Sequence, residues 1–139
     1  MAKADPTSPL AHALDRIGDR WTLLIVDALQ DGPKRFGDVV DELGIAPNIL
    51  TQRLRQLEQE TLITARLYQD RPPRFVYELT AAGTELGGAL RLLSDWGARH
   101  GDGEHPRHGV CGTPLEVRWW CAACQEVVDD PDTEDVQVV

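Results

Sequence analysis

Four residues near the carboxyl end of the chain have the types and the spacing of metal ligands. His108 and Cys111 form one pair at i, i+3, and Cys121 and Cys124 form a second pair after nine intervening residues. Two ligands at this spacing on a tight turn can both face one tetrahedral ion, and thiolate and imidazole are ligands that zinc prefers. The pattern predicts a structural Zn²⁺ site in a small ribbon over residues 105–128.

Alternatives remain for this site. His105 could replace His108 as the fourth ligand, although only His108 repeats the spacing of the second pair. Without metal, the thiols could stay reduced in an apolar cluster with Trp119 and Trp120, whereas a disulfide would leave one of three cysteines unpaired. Zinc is the preferred interpretation because about 25 residues supply too little core to fold alone. Whether oxidation or loss of zinc regulates the protein is left open.

A second group of polar residues lies on one side of a helix predicted over residues 47–60. The inward positions of this helix, at helical spacing, are Ile49, Leu50, Leu54 and Leu57. The outward positions are Asn48, Thr51, Gln52 and Arg55. Amides suit adenine, arginine suits guanine, and a threonine methyl suits thymine. The pattern predicts base contacts in a DNA major groove, although any exposed helical face is also polar.

Further cations lie on both sides of this helix in the sequence. Lys34 and Arg35 precede a shorter helix, where phosphate contacts are expected. Arg71 and Arg74 flank two prolines at the tip of a predicted hairpin. Such a stiff cationic tip suits minor-groove or phosphate contact, but a solvated turn has the same composition. Arg53 has two equal interpretations, a phosphate contact or a clamp on a neighbouring carboxylate.

Periodicity and helix breakers define the elements that hold these residues. Helices are predicted over residues 9–17, 21–30, 36–43 and 47–60, followed by strands over 62–68 and 75–79 and a long helix from Thr80 to about His100. Ser8 and Asp19 are N-cap residues, and Gly44 is the turn between two short helices. This order of elements is that of a winged helix-turn-helix. The predicted fold is mainly α, with a small β-hairpin wing and a zinc-ribbon-like extension.

Composition and charge limit the class of protein. The 139 residues suit one domain, here residues 8–100, with a small appendage. The net charge is −9, but residues 1–100 hold twelve basic and fourteen acidic side chains. Most of the net negative charge lies in the appendage and in a tail over residues 129–139. We expect this tail to be disordered and residues 1–7 to be flexible. A near-neutral body with local arginines remains compatible with DNA.

Other function classes lack a sequence signal. No apolar run has the length of a membrane helix and no export signal begins the chain, so we expect a cytoplasmic protein without membrane contact. No phosphate-binding loop, catalytic triad or carboxylate pair is present, and His12 and His100 are isolated histidines. We therefore expect that the protein is not an enzyme.

Five segments together resemble the HxlR-type winged helix-turn-helix regulators over roughly residues 8–100. They are GDRWTLLI at 18–25, RFGD at 35–38, LTQRLRQLE at 50–58, RPPRFVYELT at 71–80 and WG at 96–97. The resemblance implies a homodimeric bacterial transcription factor whose first and last long helices form the dimer interface. Two recognition helices would then read a palindromic operator in double-stranded DNA.

The chain departs from this family at two places. Many redox-sensing members carry a cysteine before the proline that begins the first helix, whereas this chain has Ser8 before Pro9. Sensing through that thiol is therefore excluded. Ala46 stands where the family often has a serine cap on the recognition helix. Because alanine has no side-chain acceptor, the missing cap costs about 1 kcal/mol of helix stability.

The sequence thus predicts a sequence-specific DNA-binding transcriptional regulator. The alternative is a protein-interaction adaptor that uses the zinc ribbon and has lost its affinity for DNA, as the net charge of −9 would allow. The operator, the effector and the sign of regulation are not readable from the residues.

Overall fold

A computed structural model describes residues 7–128. The predicted acidic tail over 129–139, and all of the predicted flexible amino terminus except Thr7, lie outside the described residues. The chain divides after Arg91 into two compact units.

Four helices of the first unit agree with the sequence prediction to within a residue. They are α1 (Pro9–Ile17), α2 (Arg20–Leu29), α3 (Phe36–Leu43) and α4 (Pro47–Gln59). The Ser8 side chain accepts a hydrogen bond from the Ala11 N–H at 3.1 Å, as expected of an N-cap. Gly44 has φ of 63°, a left-handed conformation that turns the chain from α3 toward α4. Ala46 caps α4 without a side-chain hydrogen bond.

A three-stranded antiparallel sheet follows the helices. It contains β1 (Lys34–Arg35), β2 (Ile63–Asp70) and β3 (Pro73–Leu79) in the order β1-β3-β2. The β2–β3 hairpin confirms the predicted wing. β1 pairs with β3 through Lys34 opposite Tyr77 and Arg35 opposite Val76. Two residues are too few to show a period of two, which explains why the sequence did not reveal β1.

The long final helix predicted from Thr80 to His100 is interrupted. The structure instead has α5 (Ala81–Glu85) and α6 (Gly87–Arg99), with Thr80 as the N-cap of α5. At the break, the Leu86 N–H donates to the Gly83 carbonyl at 3.2 Å, a bond one residue shorter than an α-helical one. The adjacent Gly87 and Gly88 have low helix propensity, which accounts for the break at this position.

The core of the first unit lies between α2, α3, α4 and the start of β2. Its fully buried side chains include Ile25 and Val26 from α2, Val39 from α3, and Leu50 and Leu57 from α4. A buried leucine or isoleucine contributes about 1.5–3 kcal/mol to folding. This cluster therefore fixes how α4 is rotated about its axis.

The second unit begins at Leu92 and has two short strands after α6, namely β4 (Trp119–Cys121) and β5 (Glu126–Val128). Between the two predicted ligand pairs, only Trp119 and Trp120 lie in a strand. An isolated bridge joins Arg107 to Pro114. None of residues 101–128 is buried.

Over residues 7–128, no helix has both the length and the apolarity required to cross a bilayer.

Gly83 of α5 packs against Leu62, the residue just before β2, and a substitution at Gly83 tests this packing. A Cβ at Gly83 would lie 2.1 Å from the Leu62 carbonyl oxygen, so Gly83→Ala must displace backbone. We expect a loss of about 1–3 kcal/mol in the free energy of unfolding, measured by urea denaturation. Gly88→Ala is the matched control, since a Cβ there meets nothing within 4 Å and helix propensity should then stabilise by up to about 1 kcal/mol. Equal effects of the two substitutions would contradict this packing.

Candidate nucleic-acid interface

The helix α4 has one buried side and one exposed side. Leu50, Leu54 and Leu57 are buried, which turns Asn48, Gln52 and Arg55 toward the exterior. The three exposed residues are spaced at i, i+4 and i+7, so they follow one line along the helix. Their amide and guanidinium groups lie on the outer side of α4.

Thr51 differs from its predicted neighbours on this face. The residue is half-buried, and its hydroxyl donates a hydrogen bond to the Pro47 carbonyl at 2.9 Å. The hydroxyl is therefore already satisfied within the helix, and its methyl group is the part left to contact another molecule.

Arg53 clamps a carboxylate, which is one of the two interpretations that the sequence allowed. Its Nε donates to Asp19 Oδ1 at 2.8 Å, and its Nη2 donates to Asp19 Oδ2 at 3.2 Å. Asp19 also accepts hydrogen bonds from the Trp21 and Thr22 N–H groups as the N-cap of α2. The hydrogen bond from Arg53 is the main reason that the pKa of Asp19 lies below its usual value. This pair ties the middle of α4 to the start of α2.

The two cations of β1 are both engaged within the protein. Lys34 Nζ forms an ion pair with Glu42 and lies 3.9 Å from Asp31 Oδ2. The Arg35 guanidinium lies 4.7 Å from the centre of the Tyr68 ring, a cation–π distance. Lys34 is therefore neutralised locally, whereas Arg35 is oriented by an aromatic ring and keeps its charge.

The wing carries two cations near its tip. Arg71, in the β2–β3 turn, and Arg74, at the start of β3, are both exposed. Over residues 7–128, neither of them nor Arg55 forms an ion pair. These three guanidinium groups are available to an anionic partner.

The predicted metal ligands stay as two separate pairs. His108 Nδ1 lies 3.3 Å from Cys111 Sγ, whose other neighbour is Thr113 Oγ1 at 3.2 Å. Hydrogen bonding, first from Thr113 and then from His108, lowers the pKa of the Cys111 thiol to about 7. In the second pair, hydrogen bonds from Cys124 lower the pKa of Cys121. Within the described part of the chain, no three His, Cys, Asp or Glu side chains come together as a metal site.

Two residues that shape this surface were not assigned these roles from the sequence. Tyr68 lies at the shift in register between Leu67 and Gln69, where its ring receives Arg35. Asp19 was expected only as a helix cap, and its pairing with Arg53 joins residues 34 positions apart. The only sequence signal for this pair was that the predicted cap residue, Asp19, is acidic and could therefore bind Arg53.

The helices α3 and α4 with their glycine turn, followed by the β2–β3 wing, constitute a winged helix-turn-helix, the architecture of many DNA-binding transcriptional regulators. The sequence profile described as HxlR-like helix-turn-helix matches residues 16–105. The chain belongs to this family and is a DNA-binding transcriptional regulator. The resemblance seen in the sequence is confirmed.

Individual relatives agree with this family. An HTH-type transcriptional regulator of Mycobacterium tuberculosis is 36% identical over 124 residues, covering 86% of this chain and 78% of that protein. The solved structure of the candidate regulator YtcD, a Bacillus subtilis protein, has a TM-score of 0.63 at 36% identity and covers 68% of this chain and 97% of YtcD. A candidate transcription factor of Pseudomonas aeruginosa, PA1374, has a TM-score of 0.70 at 31% identity, over 94% of this chain and 90% of that one.

These relatives are named as transcriptional regulators and not as enzymes, which confirms the expectation that this protein is not an enzyme.

The Asp19–Arg53 pair predicts a pH dependence of stability. The pKa of Asp19 is lower in the folded protein than its usual value of 3.8, so its contribution is present above that value and is lost as the pH falls through the folded pKa. Asp19→Asn keeps a capping oxygen but cannot titrate. We expect the free energy of unfolding, from urea titrations, to fall more between about pH 5 and pH 3 in the unsubstituted protein than in Asp19→Asn. Parallel profiles would show that this pair does not stabilise the fold.

Proposed function

We propose that two copies of the chain bind a palindromic operator, with α4 of each copy in the major groove. The observation that carries this proposal is the exposed polar line of Asn48, Gln52 and Arg55 on a helix whose other side is fixed by buried leucines. In a helix-turn-helix the second helix enters the major groove with its amino-terminal half nearest the bases. Asn48 and Gln52 lie in that half of α4.

The side chains divide into base-reading and phosphate-binding groups. The amides of Asn48 and Gln52 suit adenine, the guanidinium of Arg55 suits guanine, and the methyl group of Thr51 suits thymine. Arg71 and Arg74, which are exposed at the wing, would take phosphate or minor-groove positions together with Arg35.

Arg53 and Lys34 receive a different role in this proposal. Arg53 acts as a positioning residue, because its guanidinium already holds Asp19. Lys34 contributes little net charge to DNA, because Glu42 and Asp31 lie beside its ammonium group. A phosphate contact by either residue would have to compete with these carboxylates.

Exposed apolar side chains support the dimer. No residue of α1 is buried, and its Leu10 and Leu14 lie 68% and 53% exposed on one side at i, i+4. On α6, Leu93 and Trp96 are 56% and 59% exposed. Apolar stripes of this kind lower their free energy when a second copy covers them. We infer a homodimer in which α1 and α6 meet their counterparts.

The remaining parts of the proposal concern place and domain organisation. A regulator of this class acts where the bacterial chromosome lies, in the cytoplasm. We infer that residues 105–128 are a zinc-ribbon-like extension, because this segment holds the two ligand pairs at the same spacing.

Selection of bound genomic fragments by the purified full-length protein tests DNA reading. We expect a retained fragment with a palindromic site, and Gln52→Ala should lose about 1–3 kcal/mol of discrimination per half-site. Gln59→Ala is the matched control, because this exposed amide lies at the other end of α4. Arg71→Ala should weaken binding to all sequences alike and make the slope of log affinity against log salt less steep by about 2 in a dimer.

Failure to retain any fragment at low salt would favour the protein-interaction adaptor over this proposal. Equal losses in Gln52→Ala and Gln59→Ala would exclude base reading by the amino-terminal half of α4.

The dimer proposal predicts that charge on α1 separates the copies. Leu10→Glu combined with Leu14→Glu places two carboxylates on the apolar side of α1, where they would have to be desolvated against the partner. We expect a shift from dimer to monomer in analytical ultracentrifugation, with the helical circular dichroism retained because no α1 residue is buried. His12→Glu, at an exposed position of the same helix, is the control. A double variant that remains a dimer would exclude α1 from the interface.

A further inference from the structure

The two turns that carry His108, Cys111, Cys121 and Cys124 have the same backbone design. In the first turn the Gly112 N–H donates to the His108 carbonyl at 2.8 Å, and in the second the Gln125 N–H donates to the Cys121 carbonyl at 2.8 Å. The residue after the second ligand is left-handed in both turns, with φ of 70° at Gly112 and 56° at Gln125. The sequence spacing of the two pairs is thus matched by a repeated local structure.

The left-handed Gln125 is notable because a side chain disfavours that conformation. A glycine at this position would fold the turn without strain, as Gly112 does in the first turn. The second turn nevertheless takes the same shape, which places Cys121 and Cys124 side by side.

Apolar packing does not hold this region together. None of residues 101–128 is buried, and Trp119 and Trp120 are 52% and 61% exposed. Cys111 and Cys124 are exposed as well. The alternative of reduced cysteines packed in an apolar cluster with these tryptophans therefore disagrees with the structure. Two paired strands of three residues are not independently stable in water, so another interaction must stabilise the extension.

We propose that His108, Cys111, Cys121 and Cys124 bind one structural Zn²⁺ in a tetrahedral site. Each turn supplies two ligands. The three cysteines bind as thiolates and the imidazole in its neutral form, and the protons still on the thiols pass to solvent. Four protein ligands leave no open position for a substrate, so the ion is structural and not catalytic. This inference does not depend on DNA binding, since none of the four residues belongs to the proposed DNA-reading surface.

The geometry favours His108 over His105 as the fourth ligand. The His108 ring already lies 3.3 Å from Cys111 Sγ, whereas the His105 ring lies 3.3 Å from Asp95 Oδ1. The pairs do not form a site of three or more ligands within residues 7–128. Zinc binding must therefore draw the two turns together, and we expect the extension to become more ordered when it binds.

Metal analysis of the reduced full-length protein tests the proposal. We expect about one zinc per chain, with loss of most of it in each of Cys111→Ser, Cys121→Ser and His108→Asn. Replacement by Co²⁺ should give the visible and near-ultraviolet bands of a tetrahedral thiolate site. His105→Asn should keep the metal, and so should Val110→Ala, whose side chain lies 89% exposed between the first two ligands. Removal of zinc should change the near-ultraviolet circular dichroism of Trp119 and Trp120.

Three results would overturn the proposal. The first is a reduced protein that binds neither zinc nor cobalt. The second is full zinc retention in Cys111→Ser with loss in Cys121→Ser, which would mean that the first turn supplies no ligand. The third is loss in His105→Asn with retention in His108→Asn, which would contradict the assigned fourth ligand. The helical circular dichroism of each variant shows whether the winged unit is folded. Unchanged DNA binding by a zinc-free variant would leave the proposed operator recognition by α4 standing.

Discussion

The orientation of α4 depends on the burial of three leucines. Leu50, Leu54 and Leu57 are at most 2% exposed and belong to the same core cluster as Ile25 and its neighbours on α2. Replacing one such leucine by alanine typically costs about 2–5 kcal/mol, so rotation of the helix about its axis is strongly opposed. Because an α-helix repeats every 3.6 residues, burying this side turns Asn48, Gln52 and Arg55 outward. Burial of the apolar side of α4 therefore determines which of its polar side chains are exposed.

Ion pairing within the protein then limits which of the described cations are available to an anionic partner. The chain has a net charge of −9, so the availability of particular guanidinium groups matters more than the total charge. Asp19 holds Arg53 and acidic side chains surround Lys34, while Arg71 and Arg74 extend at the wing without ion pairs among the described residues. Asp19, which positions α4 through Arg53, thereby also neutralises the charge of Arg53.

Most of the winged unit could be predicted because its signals are local. Helix spacing, caps such as Ser8 and the glycine turn at Gly44 fixed four helices to within a residue. Contacts between distant segments could not be predicted in this way. They include the pairing of β1 with β3, the placing of Arg35 over Tyr68 and the choice of Asp19 as the partner of Arg53. The sequence did not reveal the break in the last helix, because apolar residues keep their helical spacing across Gly87, at Leu86, Leu90, Leu93 and Trp96.

The central claim is that α4 lies in the major groove of its operator, and methylation interference tests it most directly. Methyl groups at guanine N7 project into the major groove, whereas those at adenine N3 project into the minor groove. With a retained operator fragment, N7 methylation should block binding in two patches centred about one helical turn apart, one for each α4 of a dimer. Binding that tolerates N7 methylation throughout the site and is blocked only by adenine N3 methylation would contradict the account.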